Sequence, residues 1–277
     1  MPQTLLALTP HPDDAEYYAG GTIAKMIAAG ARAVIVIATD GRCGSYELDP
    51  LKRTFRSETL IRVRAEEARR AAAVLGAEPP VLLGHPDLEL DRLPPGHLRE
   101  QFIRAIRQRK PDVVIAEDPF APGETHPDHR AVAWAAAEAI AFAPLPLVHP
   151  EHLAAGLEPH FVVEKYFYAN DAGNTNKIVD VSDTLATRIA ALAEHKSQVV
   201  FLVEGVLRQA RLAGLDKTTA FGVRAVMPEA AAYPLALLTW AIQTQAAEVG
   251  RAIGVRYGEA FRYARYNPLV EELLVAR

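Results

Sequence analysis

The stretch Leu5-Leu6-Ala7-Leu8-Thr9-Pro10-His11-Pro12-Asp13-Asp14 decides the fold. An apolar run cut off by Pro10 and Pro12 reads as a buried strand that stops abruptly in a loop. In open α/β sheets, ligands gather just beyond the carboxyl ends of strands. The strand therefore delivers one imidazole and two adjacent carboxylates to a ligand crevice. That is more metal-binding and acid/base capacity than a turn requires, and a divalent metal is the first hypothesis.

The pattern recurs downstream. Val113-Val114-Ile115-Ala116 is apolar, and Thr125-His126-Pro127-Asp128-His129 follows after a loop containing Pro and Gly. His126 and His129, three apart, sit at a helix start, where Pro127 is tolerated because the first-turn N–H needs no partner. Two strand-end clusters in one sheet can meet at one site. Together they offer the mixed His/carboxylate set that zinc accepts, with three protein ligands leaving a position for water.

Between the clusters the chain alternates. Gly20-Gly21 leads into a helix over 22–29 closed by Gly30, and Ala33 to Ala38 is a β-branched strand ending at Thr39-Asp40-Gly41. Asp40 thus lies on the same edge as His11, although Asp-Gly is also plain turn chemistry. Residues 42–56 read as a loop over that edge, and Arg56 to Leu75 as a helix stopped by Gly76, with Arg64 and Glu67 spaced for a surface pair. Pro80 to Gly84 is a strand leading to His85-Pro86-Asp87, a partial echo of the first cluster. A helix over 95–109, a strand over 112–116 and a helix over 127–142 complete the alternation. The second half adds strands over 161–168 and 177–181, then helices over 184–198 (capped by Ser182-Asp183), 199–213 and 230–252. The expected fold is α/β: a Rossmann-like, doubly wound, mainly parallel sheet with helices on both faces and a helical C-terminal extension. A single domain spans 1–277, its α/β core and both metal motifs within 1–145 and the remaining strands and helical elaboration in 146–277.

Bulk properties narrow the function. At 277 residues and 50% hydrophobic, the chain can bury a sizeable core. A formal net charge of -4 gives no case for nucleic acid, and the basic residues Arg104, Arg107, Arg109 and Lys110 read as a solvated helix face. Cys43 is the sole cysteine, which precludes an intramolecular disulfide and suits a reducing cytoplasm. The apolar stretch from Ala230 to Ile242 is broken by Pro234 and is shorter than the ~20 residues that cross a bilayer. A soluble, cytoplasmic protein without a membrane partner is expected, with a homo-oligomer left open. His85, His97, His149, His152 and His160 are scattered and read as surface or structural groups.

Zinc bound by two imidazoles and a carboxylate keeps a net positive charge, brings the pKa of its water toward ~7 and polarises a carbonyl. A neighbouring free carboxylate can take the proton from that water, and a further imidazole can steady the oxyanion or protonate the departing amine. Residue chemistry leaves open which of Asp13 and Asp14 is the ligand. The motifs Pro10-His11-Pro12-Asp13-Asp14, Thr39-Asp40-Gly41, Arg64-Ala65-Glu66-Glu67 and His126-Pro127-Asp128-His129 resemble the LmbE-like zinc deacetylases, also called the PIG-L family. So do Val179-Asp180-Val181-Ser182, Ala193-Glu194-His195-Lys196-Ser197-Gln198 and Tyr257-Gly258-Glu259-Ala260-Phe261-Arg262.

The resemblance implies removal of an acetyl group from an N-acetylglucosamine-containing small molecule. It implies His11, Asp14 and His129 as ligands of Zn2+, with another divalent ion such as Fe2+ able to serve, and Asp13 as general base. His126 steadies the oxyanion or acts as acid, Asp128 orients a histidine, and Arg64 faces the substrate or supports the site with Glu67 behind it. Asp40 and Asp87 are further candidates beside the substrate, and His195 has a structural role as its rival reading. Where some thiol-pathway members carry a tyrosine, this chain has Glu124, so a tyrosine contribution does not transfer. The rival functions are a zinc amidase acting on another acyl amide or thiol conjugate, and a non-catalytic carbohydrate- or metal-binding module. A nucleotide-binding α/β protein is disfavoured because the first turn lacks G-x-G-x-x-G.

Overall fold

The computed structural model describes residues 3–46, 57–169, 175–214 and 233–275. Strands β1 (Thr4–Thr9), β2 (Arg32–Thr39), β3 (Val81–His85), β4 (Val113–Glu117) and β5 (Glu164–Tyr168) run parallel. β7 (Gly258–Ala264) is antiparallel to both β5 and β6 (Lys177–Asp180), giving the order β3-β2-β1-β4-β5-β7-β6. Both halves of the chain therefore supply strands to one sheet.

The central strands are apolar between their end residues because both faces are covered. Leu5 and Ala7 of β1, Ile35 and Ile37 of β2, and Val113 and Ile115 of β4 share one core. That core is completed by α1 (Asp14–Ala28), α2 (Ser57–Leu75) and α6 (Leu185–Glu194) through Ile23, Ala68, Ala72 and Ala191. The alternate residues Leu6, Leu8, Val34, Val36, Val114 and Ala116 point the other way, as the two-residue strand period requires. They pack on Phe102, Ile103 and Ile106 of α3 (His97–Arg109) and on Val132, Ala136 and Ala139 of α4 (Pro127–Phe142). α7 (Lys196–Leu212) and α8 (Tyr233–Arg251) form the C-terminal elaboration, joined to α6 by Leu192, Val199, Leu238 and Ile242.

Strand order reverses at β1. From β1 the chain steps outward to β2 and β3, then returns to place β4 on the other side, in register Leu8↔Ala116. The crevice beyond the ends of β1 and β4 is the topological switch point where open α/β sheets bind ligands.

Several expectations need correction. α1 starts at Asp14 and runs through Gly20-Gly21 instead of beginning after them. These glycines are there for close approach: a Cβ at Gly21 would lie 2.8 Å from Glu259 Oε1 and 2.9 Å from Val181 Cβ. Glu259 accepts from the amides of Gly21 (2.9 Å) and Thr22 (2.8 Å) and pairs with buried Arg188 at 3.2 Å. β5 begins at Glu164, not at residue 161, because its partner β4 begins at Val113; Phe161 is 75% exposed. Ser182 donates to Asp180 (2.6 Å), and the cap position of α6 belongs to Thr184.

The break between α6 and α7 falls at His195, where the backbone leaves helical geometry (φ -80, ψ 57). Glu67 satisfies the new helix start by accepting from Ser197 N (2.9 Å) and Oγ (2.6 Å). Arg64 and Glu67 are both buried, so they form no surface pair; α2 turns that face onto the site and onto α7. Arg107 is also buried, not solvated: it donates to the carbonyls of Ala143 (3.0 Å), Leu145 (2.8 Å) and Val148 (2.8 Å) beyond the end of α4. Short helices α5 (Pro150–Ala154) and α9 (Pro268–Val275) and a 3-10 turn over Leu90–Arg92 were not expected. The expectations for 47–56 and 230–232 lie outside the described residues. No helix among the described residues is long and apolar enough to cross a membrane.

Gly21 gives a test in which two effects oppose. Alanine improves intrinsic helix propensity by about 1 kcal/mol, whereas overpacking costs typically about 1–3 kcal/mol. Gly21→Ala is expected to lower stability in denaturant unfolding; a more stable variant would show that Glu259 and Val181 yield freely.

Candidate active site

The chain passes from β1 into α1 through Asp13, whose φ of 123 and ψ of -24 are conformations an L residue adopts only under constraint. Asp13 occupies the N-cap position, yet its side chain makes no capping hydrogen bond. The carboxylate is turned instead toward Arg64, whose Nη2 donates to Asp13 Oδ1 (3.0 Å) and to Pro12 O (2.6 Å). Arg64 Nη1 donates to Gly41 O at 2.9 Å, so one buried guanidinium ties the β1 loop to the β2 loop. Gly41 has φ +66, and a Cβ there would stand 2.4 Å from Arg64 Nη1, so both backbone and space require glycine.

His11, Asp14 and His129 are buried together at the crevice floor. Asp14 Oδ2 lies 3.2 Å from His11 Nδ1, and Asp14 Oδ1 lies 3.8 Å from His129 Nε2. The other ring nitrogen of each histidine meets carboxylates. His11 Nε2 is 3.1 Å from Asp87 Oδ1 and 3.3 Å from Asp128 Oδ2; His129 Nδ1 is 3.0 Å from Glu117 Oε2. Such partners leave a lone pair on the nitrogen that faces Asp14, the usual arrangement around a metal-binding imidazole. Ligand-capable nitrogens of His11, His126 and His129 also fall within 4.8 Å of one another. His126 differs in its hydrogen bonding: its Nδ1 accepts from Asp128 N at 3.2 Å. The proton of the neutral ring then sits on Nε2, which makes that nitrogen a hydrogen-bond donor.

Electrostatics separate these groups. Burial pushes the Asp13 carboxyl up to about 6; Arg64 pulls against the rise and the Asp14 charge adds to it. Burial would also raise Asp14, but the charge of His129 and the hydrogen bonds from His11 outweigh it and hold it at about 2. Burial opposes protonation of His129, yet the charge of Asp14 and the bond to Glu117 raise it to about 9. His126 is lowered by burial and by the neighbouring His11 and His129. The carboxylates therefore concentrate positive charge on the His11–His129 side, where a divalent cation can take the place of protons. The donor set fits such an ion.

Above this floor opens a cleft of about 530 Å³, lined by Asp13, Asp14, His126 and His129 and walled by Tyr17, Tyr18, Phe201 and Leu202. Asp87 lines it and accepts from Cys43 N at 3.0 Å. Asp40 does not line it: it pairs with Arg42 (2.9 Å) and orders the turn. Asp128 is fully buried, accepting from Leu88 N (2.7 Å) and Leu90 N (3.1 Å) as well as meeting His11. Glu124 accepts from His126 N at 2.7 Å. Cys43 lines the cleft with its thiol pushed up by burial, away from nucleophilic use. His195 is buried 3.6 Å from Glu16, at the helix break.

Four contributors escaped sequence reasoning. Glu117 falls just beyond the strand read over 112–116, whereas β4 extends to include it, and an acidic residue at the end of an apolar run is itself a signal. Tyr17 and Tyr18 precede the helix read over 22–29 and Phe201 lies in the helix read over 199–213; the earlier start of α1 and the packing of α7 bring all three to the cleft.

Residues 6–140 match the PIG-L family, described as GlcNAc-PI de-N-acetylase. The chain is 34% identical over 194 residues to the diacetylchitobiose deacetylase of Thermococcus kodakarensis, covering 70% of this chain and 69% of that protein. The chain belongs to the PIG-L/LmbE deacetylase family. A 1D-myo-inositol 2-acetamido-2-deoxy-alpha-D-glucopyranoside deacetylase of Nakamurella multipartita is 30% identical over 243 residues, covering 73% of this chain and 82% of the relative. Among solved structures, the N,N'-diacetylchitobiose deacetylase of Pyrococcus horikoshii superposes with a TM-score of 0.73 at 29% identity. That match covers 95% of this chain and 84% of the other.

In this PIG-L/LmbE site the Arg64 fork is the joint between two loops. Arg64→Lys keeps the charge but cannot span Pro12 O, Gly41 O and Asp13 together. It is expected to lower unfolding stability by about 1–3 kcal/mol. An unchanged midpoint would show the joint is dispensable.

Proposed function

We propose that this protein is a divalent-metal-dependent N-deacetylase that releases acetate from a small N-acetylglucosamine-containing substrate. Family membership supports the reaction type, and the named activities of the relatives on acetylated glucosamine compounds support the substrate class. The observation that carries the reading is Asp13, a carboxylate withheld from helix capping and held near neutrality beside the His11–Asp14–His129 floor.

In this reading His11, Asp14 and His129 hold the metal. Zinc suits the donor set, and iron(II) can use the same atoms. The bound cation would acidify a water and polarise the amide carbonyl. Asp13 takes the proton of the attacking water, since a base that titrates near 6 is ionised at neutral pH yet still a competent acceptor. Arg64 holds that carboxylate in place and keeps it from capping α1. The Nε2–H of His126 donates to the carbonyl oxygen as negative charge develops there, and the proton taken up by Asp13 then passes to the amine nitrogen as the C–N bond breaks and acetate is released. Asp128 and Asp87 fix the ring of His11 from behind. The aromatic walls Tyr17 and Phe201 offer flat apolar faces to a sugar ring, with Gln198 among the polar groups of the lining.

Asn tolerates the positive φ of position 13 but cannot accept the proton. Asp13→Asn is therefore expected to lower kcat by about 10²–10⁴-fold while metal content stays near one ion per chain. Loss of the metal instead would move Asp13 into the ligand set. His126→Ala is expected to lower kcat by about 10²-fold or more with little change in KM, and an equal kcat would remove it from the mechanism.

A further inference from the structure

Two buried polar groups behind the site lack partners. Glu117 is 0% exposed at the end of β4; its Oε2 meets His129 Nδ1 at 3.0 Å, but its Oε1 has no hydrogen bond. Tyr168 is 1% exposed at the end of β5, and its hydroxyl has none either. The two residues are register partners on adjacent parallel strands, so their side chains leave the sheet on the same face. One is an acceptor and the other a donor, and a buried orphan of either kind is unfavourable. The Tyr168 ring is fixed by stacking on Tyr18 (4.6 Å between centroids, 6° between planes), so its hydroxyl has little freedom to go elsewhere.

We propose that Tyr168 and Glu117 are positioning residues for the metal centre: the Tyr168 hydroxyl reaches Glu117 Oε1 across one buried water, and Glu117 in turn orients His129. The chain of contacts acts in one direction. Glu117 keeps the proton of His129 on Nδ1 and its lone pair on Nε2, facing Asp14. Tyr168 satisfies the free oxygen of Glu117 and keeps the carboxylate from rotating away from the ring. A water suits the bridge because the position is polar on both sides. Neither residue itself lines the cleft; each stands behind a residue that does, His129 or Tyr18, so their effect on substrate is indirect. The inference rests on the metal-dependent reading, with His129 as a ligand.

The test measures divalent-metal affinity by competition with a chromophoric chelator, using zinc and the full chain, with folding checked by circular dichroism. Glu117→Gln is expected to weaken zinc binding about 10–100-fold, and Tyr168→Phe about 2–10-fold, the size of one hydrogen bond. Because Tyr168 acts through Glu117, the double variant should bind no more weakly than Glu117→Gln alone. Tyr166→Phe, which removes a hydroxyl from the same strand where it bonds Glu164 at 3.0 Å, should leave affinity unchanged and so separates positioning from general damage to β5. If Glu117→Gln does not fold, Tyr168→Phe against Tyr166→Phe decides alone. Zinc binding by Glu117→Gln equal to wild type, fully additive losses in the double variant, or equal losses in Tyr166→Phe and Tyr168→Phe would overturn the proposal. A wild-type chain that holds no divalent ion would overturn the ligand assignment together with it, a result distinct from those three.

Discussion

The parallel pairing of β1 with β4 is the constraint on which the site depends. These strands are separated by about a hundred residues of chain, yet their register, Leu8↔Ala116, brings the loops that follow them to one edge. Burial of both sheet faces enforces that register, because a one-residue slip would turn Leu6 and Leu8 onto the wrong layer of helices. The pairing also sets up an electrostatic problem. With the loop that follows β3, it gathers Asp13, Asp14, Asp87, Glu117 and Asp128 around three imidazoles in little-solvated space, and burial alone would drive such carboxyls toward neutrality. The structure resolves this by geometry: Asp14 and Asp87 lie against histidines and are held low, whereas Asp13, with Asp14 beside it, is pushed up to about 6. Adjacent residues thus acquire opposite properties, one suited to bind a cation and one to move a proton.

Much of this was legible in the sequence. β1, β2 and β4 are apolar runs ended by Pro, Asp-Gly or a loop, and strand–helix alternation points to a parallel sheet without further information. His11, Asp13, Asp14, His126 and His129 stand out because local clusters survive folding as local clusters. What could not be read depends on distant contacts. Gly20-Gly21 looks like a helix breaker until Glu259, more than two hundred residues away, is seen bonded to the amides there. Arg64 has by spacing alone the look of a surface ion pair; the family resemblance implies a place at the site, but its role as a buried joint depends on the approach of Gly41 and Pro12. Arg107 looks like one charge among several on a wet helix face, but it closes the carbonyls that follow α4. A pattern of residue types cannot distinguish a charge facing water from one facing orphaned carbonyls.

Asp13 shows how the fold supports the chemistry. An N-cap aspartate would ordinarily bond to the helix amides and lie low. Here the positive φ and the Arg64 fork deny that geometry, and the carboxylate faces the cleft. The local strain is maintained by contacts from three separate elements, β1, the β2 loop and α2, which is where over-determined backbone is expected at a working site.

The most direct measurement is acetate release from N,N'-diacetylchitobiose by the purified chain, before and after chelator treatment and again during titration with zinc. The structure and its proposed chemistry predict that release is lost with the metal and restored in proportion to added zinc, reaching a plateau at one ion per chain. Release that persists after complete metal removal, or a metal-loaded chain that releases no acetate from this or any related N-acetylglucosaminyl compound, would contradict it.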